Sequence, residues 1–142
     1  MEYTVVGVTA WFNLVGCLFG LTLARSWQAQ LYNPGGFREE FHQVRLPPAT
    51  ALLMLALAFG GAAISPTLLM LAPVATLPLA VSGVALMHGL VGIRQLGRTW
   101  LIAFYMLLLV VTQLVYPVII FAACLDSLFD FRSRLAVRQH QT

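Results

Sequence analysis

The sequence predicts an all-α, polytopic transmembrane helical bundle, with about four membrane helices and two short amphipathic helices at the membrane surface. Hydrophobic residues make up 60% of the 142 residues and charged residues only 9%, whereas soluble domains are about a quarter charged. Such a chain has too few polar side chains to cover the surface of a soluble fold. The apolar residues also form long runs, and a helix of about 20 apolar residues crosses the roughly 30 Å hydrocarbon layer. We therefore expect a single transmembrane domain over residues 1–142.

Four apolar runs are the predicted membrane spans. They cover residues 4–24, 49–64, 67–93 and 101–125. Arg25 and Trp27 follow the first run, where a charge and an interfacial aromatic are typical of a helix leaving the lipid. The Ser65-Pro66 step separates the second and third runs, because proline disfavours helix in the residue before it. The third run is long and contains two prolines, so we expect it to tilt or kink.

Two amphipathic segments are predicted to lie along the membrane surface, at residues 37–45 and 126–135. Phe37 and Phe41 share one side of the first segment while charged residues occupy the other. In the second segment Asp130 precedes Arg134 by four residues, the favourable order for a helical ion pair. The predicted membrane-interface residues are Trp27, Phe37, Phe41, Trp100 and Phe129.

The arginines give conflicting indications of membrane orientation. All eight basic residues are arginine, and they fall as three, two and three in the first connection, the 94–98 connection and the C-terminal tail. Four crossings put the tail on the side opposite the two connections, so termini outside would place five arginines inside and three outside. The positive-inside rule favours that arrangement only weakly. A missing crossing, or a re-entrant fourth segment bent at Pro117, would remove the conflict.

Small and polar residues form a stripe along the first predicted helix. Asn13, Gly16 and Gly20 are three or four residues apart and so lie on one face. Small residues let two helix backbones approach closely, which drives helix association in lipid. The stripe predicts either packing within the bundle or contact with another protein chain.

Polar residues near the fourth predicted span suggest a ligand site within the bilayer. Pro117 has no amide to bond the carbonyl of Gln113, so Gln113 presents both a free carbonyl and a carboxamide. His88 lies near the end of the third span, and an ionisable residue within a membrane is a functional candidate. The candidate ligand-binding residues are Gln113, Tyr116, His88, Tyr105 and Thr112. The structural alternative is that Gln113 bonds a neighbouring helix and that His88 bonds at the interface.

Several classes of function lack their sequence signatures. We find no Gly-rich phosphate loop, nucleophile elbow or embedded carboxylate pair, so we expect no catalytic residues and no enzyme. Cys17 and Cys124 form no C-x-x-C pair, and Glu39-x-x-His42 has no second motif to complete a di-iron site, so we predict no metal and no cofactor. A net charge of +3 from dispersed arginines fits a membrane surface better than a nucleic acid.

Two stretches and a short string between them carry a resemblance to a known family. They are Ala24-Arg25-Ser26-Trp27-Gln28-Ala29 continuing through Leu31-Tyr32-Asn33-Pro34-Gly35-Gly36-Phe37-Arg38-Glu39-Glu40-Phe41, then His88-Gly89-Leu90, and finally Leu125-Asp126-Ser127-Leu128-Phe129-Asp130-Phe131-Arg132. In these residues the chain resembles the C-terminal portion of the YybS-like family of uncharacterised bacterial polytopic membrane proteins. The resemblance implies a multi-pass protein of the bacterial inner (cytoplasmic) membrane. The family is grouped with folds like those of substrate-binding subunits of vitamin transporters and of a rod-shape morphogenesis subunit, and its activity is unknown.

These observations predict a non-enzymatic subunit or scaffold of a larger membrane assembly. Its expected partners are the lipid bilayer and either another membrane protein or further copies of the chain. The alternative is a component of small-molecule membrane transport or binding, which the polar residues around Gln113 and the family resemblance both suggest.

Overall fold

Helices form nearly the whole chain. The structure, a computed structural model, describes residues 1–134 and contains in that range six α-helices and no strand. In chain order they are α1 (Glu2–Tyr32), α2 (Gly36–Gln43), α3 (Pro48–Ile64), α4 (Pro66–Ile93), α5 (Arg98–Val110) and α6 (Thr112–Phe129). The predicted all-helical class is confirmed. Three of these helices, α1, α4 and α6, are long and apolar enough to cross a membrane, and α2 with α3, bent by 70° at their junction, would make a fourth crossing.

Helix α4 lies at the centre of the bundle and packs against each of the other five helices. Glycines permit its closest contacts. A Cβ atom on Gly83 would lie 2.7 Å from the carbonyl oxygen of Ile119, so the backbones of α4 and α6 touch there. Gly7 meets the backbone of Met70 in the same way, a Cβ there lying 3.0 Å from the Met70 carbonyl carbon. Helices α1 and α6 are therefore held against α4 by backbone contact, which tolerates no added side-chain volume.

Proline and serine set the boundaries of α3 and α4. Pro48 opens α3, where its missing amide removes no helical hydrogen bond. Ser65 caps α4, because its hydroxyl accepts a hydrogen bond of 3.1 Å from the amide of Thr67 and so satisfies one of the free amides of the first turn. The turn predicted at Ser65-Pro66 is therefore present, and it makes α3 and α4 an antiparallel pair.

Contacts along the bundle show that α1, α4 and α6 run in one direction. Gly7 of α1 meets Met70 near the start of α4, and the hydroxyl of Tyr116 near the start of α6 bonds Thr76 at 2.7 Å. Helices α1, α4 and α6 consequently all end at the same end of the bundle, where α2 lies and α3 and α5 begin. We call it the arginine end, because contacts at this end involve Arg25, Arg38, Arg45, Arg94, Arg98, Arg132 and Arg134.

The predicted fourth span, residues 101–125, is divided between two helices. The break is at Val111 (φ −123°, ψ 44°), and α6 continues through Pro117, the position considered for the bend of a re-entrant fourth segment. Helix α5 has only 13 residues, about 20 Å at 1.5 Å per residue, which is shorter than a hydrocarbon layer. It leaves the arginine end at Arg98, and α6 returns there. The pair is thus a hairpin with both of its outer ends at the arginine end.

The predicted surface helices also differ from the observed ones. The segment predicted at 37–45 is α2, Gly36–Gln43. Residues 126–129 of the segment predicted at 126–135 belong to α6, which stops because Asp130 takes the left-handed conformation (φ 53°, ψ 57°). Helical residues resume at 131–134, and residue 135 lies outside the described range. The carboxylate of Asp130 pairs with Arg45 at 2.9 Å and accepts a hydrogen bond from the amide of Ser133 at 3.4 Å; it does not pair with Arg134 as predicted.

Candidate functional site

A buried ion pair holds the arginine end together. Asp126 is completely buried, and its carboxylate Oδ2 lies 2.9 Å from Nε of Arg132, whose side chain is only 12% exposed. The Arg132 guanidinium also donates to the backbone carbonyls of His42, Val44 (3.0 Å) and Ser82 (3.5 Å). One side chain thus joins the end of α2, the α2–α3 connection, α4 and α6.

The turn at Asp130 brings Arg132 back onto α6. Aspartate tolerates the left-handed region better than most residues, and Arg45 holds this turn by bonding the Asp130 carboxylate at 2.9 Å and the carbonyl of Ser127 at 3.1 Å. Burial raises the pKa of Asp130, but the hydrogen bonds from Arg45 and Ser133 outweigh it and leave that pKa below its ordinary value. The turn is therefore stabilised when the Asp130 carboxylate is ionised.

The interior beside this ion pair contains polar atoms with no hydrogen-bond partner among the described residues. They are Oδ1 of Asp126 and the hydroxyl oxygens of Ser82 and Ser127. An unsatisfied buried polar atom costs about 1–3 kcal/mol. The buried polar residues within residues 1–134 are Ser82, Asp126 and Ser127, so the unpartnered atoms all belong to the junction that Arg132 joins.

A basic cavity of about 280 Å³ opens between α2, α4 and α5 at the same end. Its charged and titratable lining residues are Arg38, His42, His88 and Arg98, and no carboxylate lines it. Within residues 1–134, neither Arg38 nor Arg98 forms an ion pair. Burial first, and then the positive charge of Arg38, His88 and Arg132, lowers the pKa of His42. The basic cavity is therefore a region of uncompensated positive potential.

Gly92 gives α2 room to approach α4 beside the basic cavity. A Cβ on Gly92 would lie 2.9 Å from Cε1 of His42 and 3.7 Å from the guanidinium of Arg38. Any larger residue at position 92 would have to displace the His42 ring or fill part of the cavity. The short glycine is thus one condition for bringing these two basic side chains together.

The ring of His88 is fixed at the edge of the basic cavity. Its Nδ1 lies 3.0 Å from the carbonyl of Val84, and since a carbonyl only accepts, Nδ1 carries the proton in this bond. In the neutral ring Nε2 then accepts from the Tyr105 hydroxyl at 3.4 Å. The ring of Phe41 packs edge-on against His88 with centroids 5.3 Å apart. His88 and Tyr105, both predicted as candidate ligand-binding residues, are thus neighbours.

A larger apolar cavity of about 730 Å³ lies next to the basic one, between α4, α6 and the 94–100 segment. Leu86, Leu90 and Leu125 are among its walls, and Arg94 and Arg134 also line it. Val91 and Leu96 line both cavities, so the two are adjacent. Positive charge and apolar volume therefore meet at one place on the molecule.

Comparisons with known proteins do not place this chain in a family. No family model, curated protein or solved structure matches it. Among residues 1–134, no group of three or more His, Cys, Asp or Glu side chains is arranged to hold a metal ion. What the site offers chemically is guanidinium and imidazole groups, which bind anions, beside a volume large enough for apolar groups.

The residues predicted to bind a ligand lie in three separate places. His88 and Tyr105 are beside the basic cavity, whereas the Tyr116 hydroxyl lies mid-bundle, bonded to Thr76 at 2.7 Å and to the indole of Trp11 at 3.3 Å. Gln113 and Thr112 are exposed on α6, and the Thr112 hydroxyl donates to the carbonyl of Leu108 at 2.6 Å. The structure therefore does not bring these residues into a common pocket.

The small-residue stripe of α1 faces outward. Asn13, Gly16 and Gly20 are all exposed, and the Asn13 amide donates only to the carbonyl of Thr9, one turn earlier, at 2.8 Å. No atom lies within 4 Å of a Cβ built on Gly16 or Gly20. Among the described residues the stripe takes no part in packing within the bundle, which was one of its two predicted roles.

The predicted interface aromatics divide into two groups. Trp27, Trp100 and Phe129 are exposed near the arginine end. Phe37 and Phe41 are half-buried on α2, stacked with ring centroids 5.8 Å apart. The second group therefore packs inward, toward His88.

The buried ion pair and the basic cavity were not predicted from the sequence. Asp126 directly follows the predicted fourth span, residues 101–125. Its position was nevertheless visible, because Ile119, Ala123 and Asp126 are spaced as one helical face, and all three are buried. No comparable signal existed for Arg38 and Arg98, which come together only through the packing of α2 and α5 on α4.

Proposed function

We propose that this chain is a multi-pass membrane protein that serves as a non-enzymatic subunit or scaffold of a larger membrane assembly. The observation that carries the proposal is the exposure of α1, in which only Gly7 and Ala29 of 31 residues are buried. Lipid can cover the apolar side chains of α1. A stripe of Asn13, Gly16 and Gly20 with open space in front of it is instead suited to the close approach of a second helix.

The topology we propose has three crossings and a hairpin. Helices α1, α3 and α4 cross, and the α5–α6 hairpin enters and leaves on one side. All seven arginines within residues 1–134 then lie on that side, where the positive-inside rule places the cytoplasm. Arg138 lies outside the described residues. This arrangement removes the conflict between arginine positions and a four-crossing chain.

We further propose that the membrane is the bacterial inner membrane and that the chain is related to the YybS-like family. This proposal rests on the sequence resemblance alone, and the two stretches that carry it lie at two places in the structure. One stretch forms the end of α1 and the start of α2, which the ion pair between Arg25 and Glu40 joins. The other contains both Asp126 and Arg132, the partners of the buried ion pair.

Extraction from native membrane in a mild detergent, followed by native mass spectrometry, tests the subunit role. We expect a complex heavier than the 15.6 kDa chain that dissociates when Gly16 and Gly20 are both replaced by leucine. Gly60→Leu on α3 is the matched control, since a Cβ there also meets no atom within 4 Å, and it should leave the complex intact. A folded monomer recovered alone from native membrane would contradict the proposal.

The native cysteines can identify the partner. Cys17 is exposed on the stripe face of α1, and Cys124 is buried, so oxidation in membranes should trap contacts through Cys17 only. A covalent dimer of the chain, absent in Cys17→Ser, would indicate a homo-oligomer. Cross-linking to a different protein would indicate a heteromeric assembly.

The second candidate function is small-molecule transport or binding. The observation that favours it is the pair of adjacent cavities at the arginine end, rather than the exposed Gln113. Titration of the chain with lipids and with inorganic phosphate, followed by native mass spectrometry, tests it.

A further inference from the structure

We propose that the arginine end binds one anionic phospholipid, with its phosphate in the basic cavity and its acyl chains in the adjoining apolar cavity. This rests on the membrane location proposed above but is independent of any protein partner. The basic cavity carries positive charge that no carboxylate within residues 1–134 pairs with. Arg38 and Arg98 line a cavity that contains no carboxylate, and within residues 1–134 neither has an ion-pair partner. Guanidinium groups hold phosphate oxygens through charge-assisted hydrogen bonds.

The contrast with the other arginines shows that the lack of partners is local. Arg25, Arg45 and Arg132 each pair with a carboxylate. The arginines that lack such a pair in the described part of the chain are those that line the two cavities: Arg38, Arg94, Arg98 and Arg134. Within the described residues, the guanidinium groups that are free to bind an anion are therefore concentrated at the two cavities.

An apolar volume lies beside this charge. The larger cavity, about 730 Å³, falls within the 300–1,000 Å³ of typical small-molecule sites. Val91 and Leu96 line both cavities and so form the wall between them; a lipid whose phosphate occupies the basic cavity would reach the apolar one by passing over these two side chains. A free phosphate or a water-soluble anion would leave the apolar cavity unused.

The two cavities lie at the depth in the bundle where a lipid headgroup is expected. Trp100, an aromatic of the kind that lies at the headgroup level, lines the apolar cavity. The arginine end is the side that we assign to the cytoplasmic leaflet, where anionic lipids attract basic residues. The lipid headgroup and the basic cavity would thus lie at the same depth.

The test is native mass spectrometry of the full chain in a neutral detergent, titrated with phosphatidylglycerol, phosphatidylcholine or inorganic phosphate. We expect one tightly bound phosphatidylglycerol per chain, at least about tenfold tighter than phosphatidylcholine, and no comparable retention of phosphate. Absence of a one-to-one lipid adduct, or equal affinity for both lipids, would overturn the proposal. Phosphate bound as tightly as the lipid would reduce the site to an anion site and overturn the lipid assignment.

A matched pair of variants separates the site from diffuse charge. Arg38→Gln should weaken phosphatidylglycerol binding by about fivefold, and Arg38→Gln with Arg98→Gln by about tenfold or more. Arg25→Gln removes the same single charge outside both cavities and should leave binding within about twofold. Equal losses in Arg38→Gln and Arg25→Gln would overturn the proposal.

Gly92→Leu provides a test that keeps every arginine. The leucine side chain would project toward His42 and Arg38 and should abolish binding by filling the basic cavity. The thermal unfolding midpoint of each variant is measured first, and lipid binding is then measured at a temperature below that midpoint, where the variant is folded. A folded Gly92→Leu variant that still binds the lipid would overturn the placement of the phosphate. Membrane insertion is measured separately by cysteine labelling, so its failure is distinguishable from a failure to bind lipid.

Discussion

Removing the Arg132 guanidinium should unfold the arginine end more than any other single charge change. In Arg132→Met the side-chain stem remains, but the fully buried Asp126 carboxylate loses its ion-pair partner at 2.9 Å. Leaving one partner of a buried ion pair uncompensated costs about 3–5 kcal/mol. The other carboxylate oxygen, Oδ1, already lacks a partner among the described residues, so nothing nearby compensates. We expect a loss of that size in the free energy of unfolding, measured by titrating the purified protein in micelles with SDS.

Two further variants make this prediction specific. Arg45→Met removes a similar bond of 2.9 Å to Asp130, but those side chains are 31% and 42% exposed, so the loss should be below about 1 kcal/mol. Combining Arg132→Met with Asp126→Leu removes both charges and should recover most of the loss, because apolar residues can replace a buried pair at little cost. Two results would refute this prediction. One is an Arg132→Met loss no larger than that of Arg45→Met. The other is a double variant whose loss equals the sum of the losses of Arg132→Met and Asp126→Leu measured alone.

Three other predictions concern the interior and the basic cavity. Gly83→Val should lose at least about 1–3 kcal/mol by overpacking, because its Cβ would lie 2.7 Å from the Ile119 carbonyl oxygen; Gly60→Val, with open space around it, is the control, and equal thermal midpoints would contradict the close contact. Ser82→Ala should leave stability unchanged or raise it by about 1 kcal/mol, since it deletes a buried hydroxyl without a partner among the described residues; a clear loss in the same SDS titration would count against this. Burial, followed by the charges of Arg38, His88 and Arg132, lowers the pKa of His42 below the ordinary 6.5. Between this folded pKa and pH 6.5, the unfolded chain binds more protons than the folded chain. Stability should therefore fall as the pH drops from about 6.5 through the folded pKa, and His42→Gln should flatten this slope; a stability that rises on acidification would exclude the effect.

The helical fold was largely predictable because lipid-compatible helices leave a strong compositional signal. The ends of α3 and α4 followed from Pro48, Ser65 and Pro66, whose effects on the backbone are local. The fourth span was predicted as one run, with a bend at Pro117 only as one of two possibilities. Pro117 lies inside α6, while the chain breaks at Val111, between two other β-branched residues, Val110 and Thr112, that are weak helix formers. The helix propensities of Val and Thr are too small to predict a break, because tertiary packing overrides them.

The candidate site was much less predictable than the fold. The ion pair of Asp126 and Arg132 depends on a left-handed turn at Asp130, which reverses a segment whose spacing favoured a continuous helix. The basic cavity joins Arg38 and Arg98, which are 60 residues apart in the sequence, through helix packing alone. The polar residues around Gln113, by contrast, attracted a ligand hypothesis because they are close in sequence, and the structure leaves Gln113 exposed.

Cysteine labelling at the two ends of the chain tests the proposed topology most directly. In a Cys17→Ser and Cys124→Ser background, Thr4→Cys and Ser133→Cys, both at exposed positions, are exposed to a membrane-impermeant maleimide in intact cells and in inverted vesicles. Three crossings and a returning hairpin predict that the two cysteines label from opposite sides, with Ser133→Cys accessible from the cytoplasm together with the arginines. Labelling of both positions from the same side would indicate four crossings and would contradict the arrangement that places the described arginines on one face.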